Sequence, residues 1–150
     1  MKNIFAQDVT VETIEHIEQL TPETIPLWGK MNVSQMLAHL NVMYEMVYED
    51  YHKKANPILG FIMKLFVKNA VVNEKPYPKN SATAPAFRIT SEKDFELEKI
   101  RLIEYIKKTQ ALGRSQFDGK ESLSFGPLTA QEWNNLFYKH LNHHLSQFGV

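Results

Sequence analysis

Residues 129–150 read TAQEWNNLFYKHLNHHLSQFGV. Thr129 and Glu132 form a capping box: the hydroxyl can accept from the third amide on, and the carboxylate can reach back. Leu128 sits where a hydrophobic staple belongs. Trp133, Leu136, Phe137, Leu141, Leu145 and Phe148 recur at helical spacing, so a helix is predicted to about Phe148. Continued at 3.6 residues per turn, the stripe passes through 140 and 144, and both are histidine. Two ionisable rings thus occupy slots that the pattern reserves for apolar side chains. Residues four apart share a helix face, so the rings can converge on one ion. They can equally be core residues satisfied by backbone or water, because His-x-x-x-His arises by chance on many helices. His143 lies off the stripe and is read as facing the flank or solvent.

Working back along the chain, other helices follow. Ser91 is placed to cap a helix with Glu92 and Asp94 in its first turn. Its apolar face is marked by Phe95, Ile100 or Leu97, Ile103 and Ile106, and Gly113 closes it. Asn32 and Gln35 form a start signal for a helix to about Tyr51, with Val33, Leu40, Tyr44, Val47 and Tyr51 on one face. Val11 to Leu20 is a shorter helical stretch. Ile58 to Val72 is a further helix, expected to pack on the bundle, with a pocket wall or dimer contact as other roles. Asn73 to Thr90 carries Pro76, Pro78 and Pro85. It reads as a long loop, extended around Ala86-Phe87-Arg88, that can cover a site's mouth. Ser115 to Phe125 is a second loop. With no strand pattern, the expectation is an all-α fold: one domain over residues 1–150, a four-helix bundle with an inserted short helix.

Composition narrows the function. The chain has 150 residues and zero formal net charge, against the basic excess that a general nucleic-acid binder needs. It has no cysteine, which excludes disulfides, thiolate ligands and a cysteine nucleophile. Ile58–Val72 is too short to span a bilayer and contains Lys64 and Lys68. The first ten residues, MKNIFAQDVT, lack the apolar run of a signal peptide, so the cytoplasm is the expected location.

Two histidines on one helix need a third ligand to hold a transition metal. His52 lies beside Lys53 and Lys54 and reads as solvated. His16 is mostly off its segment's apolar face. His39 is at the edge of its stripe, on a facet with Met36, Met43 and Met46. It lies about 10 Å from its helix start, and His140 and His144 lie about 6–12 Å from their helix end. The three rings share a level if those helices run antiparallel.

Several motifs carry a resemblance. Trp28-Gly29-Lys30-Met31 followed by Gln35-Met36-Leu37-Ala38-His39 resembles the second-helix motif of the DinB/YfiT-like metalloenzyme superfamily. His140-Leu141-Asn142-His143-His144-Leu145-Ser146-Gln147 resembles its final-helix motif, in which a His, a second His four residues on and a Gln three further recur. Pro85-Ala86-Phe87, Asp94-Phe95-Glu96, and Phe125-Gly126-Pro127-Leu128-Thr129 through Gly149-Val150 are similar to a bacterial subfamily of unknown function. The resemblance spans nearly the whole chain. It implies up-down-down-up connectivity and metal ligands at His39, His140 and His144. Some superfamily members are transferases or isomerases that use low-molecular-weight thiols. One departure stands out: Ser122 and Leu123 occupy positions where the subfamily often carries His-Pro.

Three neutral imidazoles leave a divalent ion its full charge and an open position, as catalytic sites do. Nitrogen donors suit zinc or nickel first, then iron. Gln35 and Asn142 are candidates to accept the ligands' other N–H groups. Glu45 and Tyr44 could face the pocket, but surface charge and core aromatic are the favoured readings. The expected activity is that of a metal-dependent hydrolase or a thiol-dependent transferase on a small molecule, possessing no membrane or nucleic-acid partner, with a homodimer left open. The alternative is a non-catalytic metal- or ligand-binding bundle.

Overall fold

The computed structural model describes residues 1–54 and 56–150. The helices are α1 (Gln7–Glu18), α2 (Val33–Tyr48), α3 (Pro57–Phe66), α4 (Lys68–Val72), α5 (Phe95–Leu112) and α6 (Ala130–Gln147). A two-residue hairpin, β1 (Glu121–Ser122) with antiparallel β2 (Gly126–Pro127), is the only sheet among the described residues. The fold is all-α.

Helices α1, α2, α5 and α6 surround one apolar core, which includes Ile17, Leu37, Leu40, Leu102, Ile106 and Phe137. Their contacts fix their directions. Asn41 meets Glu98 and Tyr48 meets Thr109, so α2 and α5 run parallel. His39 meets His140, while Tyr44 stacks on Phe137, so α2 and α6 run antiparallel. The end of α1 meets Lys99, and Phe5 before it meets Phe117 beyond α5, so these two are also antiparallel.

Both capping boxes form, at Asn32/Gln35 and at Thr129/Glu132. Other boundaries differ from the sequence reading, for identifiable reasons. Helix α1 starts at Gln7 and leaves Val11 exposed. Its buried face includes Thr10 and Thr13, whose hydroxyls bond back to the carbonyls of Ile4 and Val9. Helix α5 is capped by Asp94, not Ser91. Leu97 and Ile100 point outward. The buried stripe runs instead through Phe95, Glu98, Lys99, Leu102, Ile103, Ile106 and Thr109. In both helices polar residues sit on the inner face and disguise it. Helix α2 stops at Tyr48 and Tyr51 is exposed. Glu49, extended in its backbone, ends the helix.

The stretch from Ile58 to Val72 does not form one packed helix. Asn56 caps α3 and Pro57 opens it, but the helix breaks at Val67. No residue of α3 is buried, and Phe61 and Phe66 lie open. Helix α4 is fastened to α6 by a polar ladder. Lys68 pairs with Glu132 at 2.8 Å, and Asn135 donates to the Val72 carbonyl at 2.8 Å. The Lys139 ammonium caps the end of α4 through the Ala70 and Asn73 carbonyls, each at 2.8 Å. Ala86 and Phe87 are not extended, because Pro85–Phe87 is a 3-10 turn favoured by the fixed φ of Pro85; Arg88 after it is extended. The expected loop from Ser115 contains a 3-10 turn, Arg114–Phe117, and the hairpin.

Candidate metal centre

The antiparallel pairing of α2 and α6 brings His39, His140 and His144 to one level. All three are buried, and one ligating nitrogen from each lies within 4.8 Å of the others. His39 Nε2 is 2.8 Å from His140 Nε2. Ring centroids are 4.8 Å apart for His39 and His140, 4.5 Å for His39 and His144, and 5.0 Å for His140 and His144.

Hydrogen bonds decide which nitrogens are free. His39 Nδ1 lies 2.8 Å from the Phe87 carbonyl oxygen. A carbonyl can only accept, so Nδ1 carries the proton and Nε2 of the neutral ring presents a lone pair. His144 Nδ1 lies 2.7 Å from Gln147 Oε1. The amide of Gln147 is itself oriented, because its Nε2 donates to the Trp28 carbonyl at 2.6 Å. Oε1 must therefore accept, and His144 Nε2 is also left with a lone pair. Gly29 makes this seat accessible: it has φ +86°, and a Cβ there would collide with Gln147 Nε2.

Burial keeps the rings neutral. It lowers His39, with the bond to Phe87 opposing. It drives His140 well below the usual range, with His39 and His144 adding to the effect. It lowers His144 to about 3, against the bond to Gln147. Three neutral imidazoles at one place, two of them with Nε2 lone pairs left free, form a donor set that suits a divalent transition metal, and near neutral pH burial leaves few protons to compete for it.

The cluster forms one wall of a cavity of about 580 Å³. The loop after α4 covers the cavity through Tyr77 and residues 80–84, and Phe87 closes it beside His39. Ser122 and Leu123 also line it, and Ser122 Oγ accepts from the Phe125 amide at 2.8 Å, shaping the hairpin turn.

Several residues are placed differently from their sequence reading. Gln35 spends its side chain on the capping box and on the Ser91 carbonyl at 3.5 Å. Asn142 is exposed and accepts from the Tyr138 hydroxyl. The groups that meet the histidines' other nitrogens are instead the Phe87 carbonyl and Gln147. The first is a backbone atom and invisible in sequence; the second had a signal, three positions after His144 on the inner face. His143 is not merely on the flank: it lines the cavity, edge-on to Trp28, Tyr77 and His144. His52 is half-buried against Glu45 at 3.1 Å. His16 lies apart, partly exposed on α1. Glu45 is no surface charge, at 8 % exposure, whereas Tyr44 is the core aromatic expected.

Among the described residues no helix is long and apolar enough to cross a membrane. A family model described as protein of unknown function (DUF1569) matches residues 6–149. No curated protein and no solved structure matches the chain.

Proposed function

The chain belongs to the DUF1569 family, and from the site it carries we propose a metal-dependent enzyme of DinB/YfiT-like type. One observation carries the reading: three buried imidazoles from α2 and α6 converge at the wall of a substrate-sized cavity. The directions of the four long helices support up-down-down-up connectivity, which is what the resemblance implies.

In this reading His39, His140 and His144 hold the ion, zinc or nickel before iron. Such an ion supplies Lewis acidity toward a substrate or a thiol cosubstrate. The protein's own part is orientation and exclusion. Phe87 and Gln147 fix two of the three rings. The loop over Tyr77 and Phe87 holds the substrate against the histidines and limits water. Hydrolysis and thiol-dependent transfer are the two reaction classes proposed, the second drawing on the resemblance alone.

The test is reconstitution with zinc or nickel, removal of free ion and elemental analysis. One ion per chain is expected, and none after His140→Ala. Full metal content in that variant would sink the ligand assignment. A non-catalytic binding bundle is favoured by a different observation: among the described residues no Asp or Glu lines the cavity, so no carboxylate base is at hand. Chelator-sensitive turnover of esters or thiol adducts excludes that reading; a chelator-sensitive melting temperature without any turnover supports it.

A further inference from the structure

The cavity's walls differ sharply from its histidine end. Four of the chain's six methionines line it: Met31, Met43, Met46 and Met63. Leu123 and Leu136 add to the apolar surface. Methionine is flexible and polarisable and lines surfaces that adapt to varied apolar shapes. Asn80, Ser81, Thr83, Ser122 and Ser124 also line the cavity, but the methionine and leucine surface gives a polar ligand no hydrogen bonds in return for its lost hydration.

Charge points to the other half of the ligand. Three neutral imidazoles leave both charges of a divalent ion uncompensated. Among the described residues no carboxylate lines the cavity, and its one Lys or Arg is Lys30, exposed at the rim. An ion held there would therefore favour an anionic group on the ligand over a neutral or cationic one.

We infer that the cavity takes an amphiphilic anion: a carboxylate or comparable anionic head at the three histidines, with a hydrocarbon body along the methionine wall. The inference rests on reading the histidines as a metal site, and its test separates the two. Replacing buried methylenes with water-exposed ones costs about fourfold in affinity each, so four shielded methylenes give on the order of a hundredfold.

The probe is the full chain loaded with cobalt(II), whose visible absorption reports anion binding, titrated with acetate, hexanoate and decanoate. Calorimetry with decanoate and decylamine accompanies it. The expected result is a perturbed cobalt spectrum with decanoate binding about a hundredfold more tightly than acetate. Met63→Glu, on the partly exposed α3 wall, should weaken decanoate at least about tenfold and leave acetate unchanged. Decanoate no tighter than acetate on a protein with a normal cobalt spectrum overturns the ligand class while leaving the metal site standing. So does decylamine binding as tightly as decanoate. Absence of any protein-bound cobalt spectrum overturns the metal site and the inference together.

Discussion

Helix α2 contributes to two buried polar seams, and the contrast between them separates structure from site. On the side facing α5, Glu45 and Glu98 share Arg101, which donates to both. Asn41 donates to the Glu98 carboxylate at 2.8 Å, and His52 approaches Glu45 at 3.1 Å. Burial alone would raise the Glu45 pKa, but the bonds from His52 and Arg101 outweigh it and hold the carboxyl below its usual range. Each carboxylate thus has hydrogen-bond donors within the seam, and the buried side-chain atoms left without a partner are two neutral ones, Asn41 Oδ1 and the Tyr44 hydroxyl. On the side facing α6, three imidazoles converge, His39 and His144 with free Nε2 lone pairs, and no carboxylate lies among the residues around them. The first seam is a set of ion pairs and hydrogen bonds that ties α2 to α5; the second is a set of uncharged nitrogen donors, and on that difference the proposed metal site rests.

The contrast can be broken in order of effect. Zinc at about a thousandfold above its Kd should stabilise the wild type by about 4 kcal/mol, on the order of a 10 °C rise in melting temperature. The same zinc should do nothing for His140→Ala, and an equal shift in both proteins would place the ion elsewhere. Arg101→Met strands two buried carboxylates and should cost about 3 kcal/mol in urea denaturation while leaving zinc affinity intact. Loss of zinc affinity there would show that the seams are coupled.

Gln147→Leu sharpens the picture at the next scale. It removes the acceptor that orients His144 and should weaken zinc about 10- to 100-fold, read by competition with a chromophoric chelator. Gly29→Ala touches no histidine yet displaces the Gln147 amide, so it should weaken zinc in the same direction. The smallest effect per residue is that of pH on the metal-free chain. The folded pKa values of His39, His140 and His144 lie below the unfolded value, so between the two the unfolded chain binds more protons. Stability is therefore full above about pH 6.5 and falls as pH drops below it, by about 1 kcal/mol over the first unit for each histidine that stays neutral. Zinc should flatten that slope near neutrality. A metal-free protein equally stable at pH 7 and pH 5.5 would contradict the buried-neutral assignment.

Much of this was legible in the sequence where local chemistry is unambiguous. The capping boxes at Asn32 and Thr129 mark real helix starts, and the His140/His144 pair on an apolar stripe lies inside. What was hidden is hidden by physics. Thr10, Thr13, Glu98, Lys99 and Thr109 are polar yet buried, so the inner faces of α1 and α5 do not read as apolar. Helix α3 has a broad apolar face and Lys64 as its one charged residue, yet none of its residues is buried, so an apolar pattern there was no sign of burial. Glu45 looks like surface charge because the cation that permits its burial, Arg101, lies 56 residues away. The Phe87 carbonyl that orients His39 comes from backbone geometry in a loop, which no side-chain pattern encodes.

The central claim is that His39, His140 and His144 together hold one divalent ion and leave it a free position. X-ray absorption at the zinc edge, on the protein loaded with one equivalent, measures that directly. The account predicts three imidazole nitrogens at about 2.0–2.1 Å and at least one further light atom that is not imidazole. A zinc environment with one imidazole or none would contradict it.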